Sequence, residues 1–171
     1  SNIVREEVLK AGGNPTEFRT GASYTMAKVI EDKMLFGFEY SGHIYFNDLF
    51  PPISSGLYAG LKLVEILSNT NKDTTELLGN INTYYEEPEI RIHSDDDKKW
   101  DVVENIKKYA IEKGYKILDI DGVKIYYDDG WALARCSNTG PNITLRFEAR
   151  TKDALNKIKD EIIGKLNEFN N

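Results

Sequence analysis

The chain has 171 residues, 40% of them hydrophobic, and its 22 basic against 28 acidic side chains leave a net charge of -6. That length holds roughly one ordinary domain or one and a half small ones, and the acidic balance, with no basic cluster beyond Lys98-Lys99 and Lys107-Lys108, argues against nucleic acid as a partner. A single cysteine, Cys136, rules out an intrachain disulfide, no apolar run approaches the roughly 20 residues of a membrane span, and the charged opening is no signal peptide, so a cytoplasmic location is expected.

Residues 3–10 carry Ile3, Val4, Val8 and Leu9 at helical spacing and stop at Gly12-Gly13-Asn14-Pro15, a strong helix end. A short strand is expected over 16–19, a helix over 24–32, a strand over 33–38 that enters a loop at Glu39, and another strand over 44–46. Beyond the polar connection that starts at Pro51-Pro52, the spacing predicts a helix over 57–68 burying Leu57, Leu61, Val64 and Leu67. Helices and strands in alternation read as an α/β layer, and residues 1–70 are too few strands to make a whole one.

Residues 71–86 form a polar linker with a short helix over 75–81. The pattern then changes. A strand over 88–93 precedes a helix over 98–113 that buries Trp100, Val103, Ile106 and Ala110, with Gly114 where a C-cap glycine belongs. Strands over 115–119, 123–127 and 131–136 follow, separated by the hairpin-turn signals Asp121-Gly122 and Asp128-Asp129-Gly130. A strand over 142–150 leads to Thr151, an N-cap for a closing helix that buries Leu155, Ile158, Ile162, Leu166 and Phe169. The order β-α-β-β-β-β-α over 87–171 predicts an α+β domain, an antiparallel sheet with two helices on one face.

The bend between the last two strands, Arg135-Cys136-Ser137-Asn138-Thr139-Gly140-Pro141-Asn142, gathers the chemistry of anion binding. A guanidinium supplies a permanent charge in a planar fork, two hydroxyls and an amide supply neutral donors, and Gly-Pro forces a turn that exposes backbone N–H groups. Residue types alone fit equally a polar turn with a surface ion pair, since the bend lacks the Gly-Lys-Ser/Thr of a P-loop. Cys136 alternates with Arg135 along the strand and reads as a buried structural thiol. Only two histidines occur, so a multi-histidine metal site is remote. Asp95-Asp96-Asp97 reads as a complement to a helix N-terminus, Asp119-Ile120-Asp121-Gly122 as a hairpin turn and not a calcium loop, and Asn142-Ile143-Thr144 as part of a strand despite matching a glycosylation sequon.

Residues 135–149, RCSNTGPNITLRFEA, resemble the phosphate-binding loop and following strand in the last domain of the α-D-phosphohexomutases, the phosphoglucomutase/phosphomannomutase family. Gly37-Phe38-Glu39-Tyr40-Ser41-Gly42-His43 resembles that family's sugar-binding loop, Gly-Glu-x-Ser-Gly-His, in its third domain, and the two motifs stand in the family's order. The resemblance implies a carboxyl-terminal fragment of a mutase that interconverts hexose 1-phosphate and 6-phosphate, with part of the third domain over 1–70 and the fourth over 87–171. It assigns Arg135, Ser137, Asn138 and Thr139 to the substrate's phosphate, Glu39 and Ser41 to the sugar hydroxyls, and His43 to orienting either the phosphate or the loop. It implies magnesium in the parent enzyme and none in this fragment, and the missing N-terminal domains as partners. The family's Thr-Ala-Ser-His-Asn-Pro type serine loop and Asp-Gly-Asp-Gly-Asp type metal loop are both absent from the sequence, so the fragment alone should not catalyse. Phe38 replaces a frequent glycine and Tyr40 a frequent methionine, which leaves sugar preference open, and the turn Arg19-Thr20-Gly21-Ala22 resembles a family loop with a frequent histidine at the position of Ala22, so no role is carried over there. A stand-alone sugar-phosphate-binding regulatory module without catalysis is the alternative.

Overall fold

Alternating apolar positions in consecutive late segments build the sheet that dominates the chain in the computed structural model, which describes residues 1–48, 51–79 and 81–171. In chain order the elements are α1 (Asn2–Lys10), α2 (Ala22–Glu31), β1 (Phe36–Phe38), β2 (Ile44–Phe46), α3 (Gly56–Ser68), α4 (Thr74–Leu78), β3 (Tyr85–Glu86), β4 (Ile90–His93), α5 (Lys99–Glu112), β5 (Lys116–Leu118), β6 (Val123–Tyr127), β7 (Gly130–Cys136), β8 (Asn142–Ala149) and α6 (Lys152–Asn170). They fall into two units, residues 15–81 and residues 82–171 together with 1–14.

In the larger unit the strand order is β3-β8-β7-β6-β5, with β4 also paired to β8, and every pairing is antiparallel. The long β7–β8 register runs from Gly130 opposite Ala149 to Cys136 opposite Ile143, so the bend that follows Cys136 is held at the end of the longest ladder in the sheet. Because side chains alternate across a strand, Ala132, Ala134 and Cys136 of β7 share a face with Ile143, Leu145, Phe147 and Ala149 of β8. That face carries α5 and α6. Alanines on β7 let the helices approach closely, and each buried Ile, Leu or Phe stabilises the layer by roughly 1.5 to 3 kcal/mol. The expected architecture, an antiparallel sheet with two helices on one face, is the one found, with the two-residue strand β3 added at its edge.

Thr151 caps α6, its hydroxyl accepting from the Ala154 N–H at 3.1 Å, and Leu155, Ile158, Ile162 and Leu166 are buried as their spacing requires. The fifth helix differs from expectation. Its buried positions are Lys99, Val102, Val103, Ile106 and Ala110, while Trp100 is 58% exposed. Residues on a helix are about 100° apart, so a small rotation exchanges Trp100 for Lys99 at the inner face, and Lys99 remains there because its ammonium finds carbonyl partners at the bend.

The first helix, expected with residues 1–70, makes its contacts with the larger unit. The Asn2 N–H donates to Glu148 at 2.8 Å, Glu6 accepts from the Tyr84 hydroxyl and the Asn82 amide, and Arg150 pairs with Glu6 at 3.1 Å. No apolar side chain of α1 is fully buried, so these polar contacts decide where it lies.

In the unit of residues 15–81, β1 and β2 form an antiparallel hairpin, Phe36 opposite Phe46 and Phe38 opposite Ile44, on which α2 packs through the fully buried Val29. Residues 16–19, expected as a strand, have no regular structure. The capping box of Asp73 and Glu76 starts α4, which ends at Leu78; the expected span to 81 includes Asn80, outside the described residues. Ser55 caps α3 as a helix, yet its predicted inner residues are open: Leu57 is 78% exposed, and Leu61 and Val64 are exposed too. Among the described residues of this unit the sheet has two strands of three residues each, too narrow to cover the helix.

Candidate functional site

The bend over 137–141 is closed by short backbone bonds. The Ser137 N–H donates to the Asn142 carbonyl at 3.0 Å, the Asn142 N–H to the Gly140 carbonyl at 2.9 Å, and the Ser94 N–H to the Pro141 carbonyl at 3.0 Å. Within it the Thr139 N–H donates to Ser137 Oγ at 3.3 Å, and the two hydroxyls stand 3.4 Å apart. Asn138 and Thr139 are exposed, and among the described residues neither the Asn138 N–H nor its side chain meets a partner. Arg135 lies one residue before the buried Cys136 and points to the other face of the sheet. Its Nη1 is 3.6 Å from Asp121 Oδ2, each side chain about one-fifth exposed. That separation exceeds hydrogen-bonding range, so the pair steers the guanidinium without occupying its donor directions. The sequence-predicted Ser137, Asn138 and Thr139 thus stand on one bend and Arg135 on the strand that leads into it: a guanidinium, two hydroxyls and the Asn138 N–H without a partner among the described residues, groups of the kind that bind an oxyanion.

Cys136 faces the core. Its thiol donates to the Lys99 carbonyl at 3.3 Å, and burial, the largest influence, pushes its pKa up to about 11. A thiol held protonated is no nucleophile.

The second predicted group occupies the hairpin loop over 39–43. The Glu39 N–H donates to the His43 carbonyl at 2.9 Å and the Gly42 N–H to the Glu39 carbonyl at 3.0 Å, with Gly42 at φ +85°, a conformation that glycine adopts without steric cost. Glu39 Oε1 accepts from the Tyr45 hydroxyl at 3.0 Å and from Thr25 Oγ1 at 3.2 Å. Burial and then the Glu39 hydrogen bond push the Tyr45 pKa up to about 12, so this phenol remains a donor at neutral pH. The bonds go to one carboxylate oxygen of Glu39, and the carboxylate is aimed by two strand and helix residues. Ser41 and His43 are exposed and linked, Oγ to Nδ1 at 3.0 Å. Glu39, Ser41 and His43 belong to the unit of residues 15–81 and the Arg135 group to the other.

Three supporting residues escaped the sequence reading. In the sequence Asp121 reads only as part of a turn, Tyr45 only as part of a strand, and Lys99 as a helix residue without a role, although a lysine at the position i-3 from Val102 and i-7 from Ile106 occupies a core-facing place on its helix. Among the described residues no group of three or more His, Cys, Asp or Glu side chains could hold a metal ion. Among them too, no helix is long and apolar enough to cross a membrane.

Two family profiles match: phosphoglucomutase/phosphomannomutase, alpha/beta/alpha domain III, over residues 1–84, and the phosphoglucomutase/phosphomannomutase C-terminal domain, over residues 89–165. The chain is 35% identical over 148 residues to a Pseudomonas aeruginosa protein named phosphomannomutase/phosphoglucomutase, which covers 86% of this chain and 32% of the relative. It is 34% identical over 163 residues to a Neisseria meningitidis phosphoglucomutase, 94% of this chain and 35% of that protein. A crystal structure of a phosphoglucomutase/phosphomannomutase family protein from Burkholderia thailandensis superposes with a TM-score of 0.85 at 32% identity, covering 96% of this chain and 35% of its own. The chain therefore spans about a third of the length of the relatives it matches.

Proposed function

This chain belongs to the phosphoglucomutase/phosphomannomutase family, and we propose that it is the substrate-holding carboxyl-terminal part of a mutase interconverting hexose 1-phosphate and hexose 6-phosphate. In this reading Arg135, Ser137, Asn138 and Thr139 grip the phosphate that is not reacting, and Glu39, Ser41 and His43 contact the sugar. A serine loop and a magnesium loop from N-terminal domains of the same protein supply the chemistry, in the cytoplasm. The observation that carries the proposal is the bend at the end of β7: two hydroxyls and an outward Asn138 N–H on a rigid ladder, with the Arg135 guanidinium on the strand leading into it. Charge-assisted hydrogen bonds are worth about 1.5 to 3 kcal/mol each, so this group can retain a sugar phosphate without a metal. Energy gained at a remote phosphate is available to position the reacting end.

The test is a coupled assay of the whole protein containing this chain with glucose 1-phosphate and mannose 1-phosphate. Arg135→Ala is expected to lower kcat/KM by about 100-fold, the loss of roughly one to two charge-assisted bonds, with an unchanged melting temperature; unaltered efficiency removes Arg135 from the site. The 171-residue chain alone is expected to turn nothing over. Binding of hexose phosphate by the whole protein without turnover would favour the regulatory module instead.

A further inference from the structure

Lys99 opens α5 and is 5% exposed, among the rarest positions for a lysine. Its Nζ donates to Asp96 Oδ1 at 2.5 Å, to the Ser137 carbonyl at 2.7 Å and to the Gly140 carbonyl at 3.2 Å. An ammonium has three protons, and all three are used, two of them on the ends of the bend over 137–140. The backbone of Lys99 is tied to the same region, its carbonyl accepting from the Cys136 thiol.

The consequence lies in peptide geometry. In a trans peptide the C=O and the following N–H point in opposite directions, and no described peptide bond is cis. Drawing the Ser137 carbonyl inward to Lys99 therefore turns the Asn138 N–H outward, to the side where it meets no partner among the described residues. At Gly140 the same pull acts on a carbonyl whose following residue, Pro141, has no N–H, so that contact fixes the far end of the bend and presents nothing outward. Asp96 is 71% exposed at its side chain, so solvent weakens its compensation of the buried ammonium, and part of the positive charge is left behind the bend.

We propose that Lys99 is a positioning residue of the phosphate site: its buried ammonium holds the Ser137 and Gly140 carbonyls inward, aims the Asn138 N–H at the bound oxyanion and backs the bend with positive charge. The proposal rests on the phosphate reading of the Arg135 bend, and the experiment separates the two.

The ¹⁵N-labelled chain is titrated with inorganic phosphate and with glucose 6-phosphate, following the amides of Asn138, Thr139 and Gly140. These are expected to shift and saturate in the unaltered chain, with Asn138 moving most. In Lys99→Met, which keeps length and loses charge and donors, affinity is expected to fall about fivefold or more, while the amides of Phe147 and Ile162 keep their positions. Lys99→Arg, which keeps the charge and N–H donors but adds bulk at a buried position, is expected to bind more tightly than Lys99→Met. If the unaltered chain shows no shift in the bend, the phosphate reading fails and Lys99 with it. If the unaltered chain binds and Lys99→Met binds equally, or Lys99→Arg is as weak as Lys99→Met with core amides in place, the Lys99 role is overturned and the phosphate reading stands. Should Lys99→Met not fold, the Lys99 ammonium resonance of the unaltered chain decides: a shift on adding phosphate supports the role, and a stationary resonance overturns it.

Discussion

Arg135 and Asp121 face each other across 3.6 Å at the mouth of the candidate phosphate bend, a carboxylate on the turn before β6 set against the one guanidinium on β7. At that distance Asp121 attracts the guanidinium and competes with an incoming anion, but leaves the fork's donors open.

Asp121→Asn should therefore tighten phosphate binding. Pairs of this partial exposure contribute up to about 1 kcal/mol, which sets the expected gain at about two- to fivefold, with a larger gain at low ionic strength. Calorimetric titration of the chain with inorganic phosphate at two salt concentrations checks it. Weaker binding in Asp121→Asn would show that the carboxylate's orienting effect outweighs its competition.

Gly122, next to Asp121, packs its α-carbon against the strand carrying Arg135. Its φ is +74°, and an added Cβ would lie 2.2 Å from the Ala134 carbonyl oxygen and 2.7 Å from the Arg135 Cα. A left-handed conformation for a non-glycine residue and an overpacked contact each cost about 1 to 3 kcal/mol, so Gly122→Ala is expected to destabilise by roughly 2 to 6 kcal/mol. Gly164 is the contrast, an exposed interior position of α6 with nothing within 4 Å of a built Cβ. There alanine should stabilise by about 0.5 to 1 kcal/mol through helix propensity. Urea midpoints of the two variants, read with the same slope, test both signs.

Much of this arrangement was legible in the residue pattern. Period-two alternation from Trp131 to Arg150 located β7 and β8, and Asp-Gly pairs located their neighbours' turns, because local chemistry and the buried face agree there. The Thr151 cap and the spacing of Leu155, Ile158, Ile162 and Leu166 located α6 for the same reason. Where the reading missed, a long-range contact had overruled the local pattern. Trp100 is more apolar than Lys99, yet carbonyls 38 and 41 residues away draw Lys99 inward. The periodicity of α3 is real, but a stripe of leucines does not state what covers it. Asp121 read as a turn former, since nothing in the order of residues places it beside Arg135, 14 positions on.

Cys136 should be inert in the native chain. It is 3% exposed, and burial raises its pKa to about 11, so at pH 8 the thiolate is scarce and shielded. A thiol reagent is expected to modify it at pH 8 only as fast as the chain unfolds, and at once in denaturant. Rapid native modification at neutral pH would mean that the thiol is far more open than the packed face of β7 allows.

Tyr45, Tyr84 and Tyr109 each hold a carboxylate, Glu39, Glu6 and Glu161 in turn, and each pKa is raised from 10 to about 12, first by burial and then by that hydrogen bond. Tyr127, also hydrogen-bonded to Glu161, is raised further, chiefly by burial and next by the Glu161 charge. The folded state thus binds these phenolic protons more tightly than the unfolded chain does. Their contribution is fully present below about pH 10 and is lost as pH rises through the folded values near 12. The expected outcome is a urea midpoint constant between about pH 7 and 9 and falling steeply above about pH 10, with tyrosinate absorbance lagging until unfolding releases these phenols together. Tyr45→Phe removes one of the four and leaves the Glu39 carboxylate with one donor fewer, so its alkaline decline should be shallower while its neutral stability is lower by about 1 kcal/mol. A decline identical to that of the unaltered chain would mean that Tyr45 is not held as a donor to Glu39, and the loop over 39–43 would lose the support assigned to it.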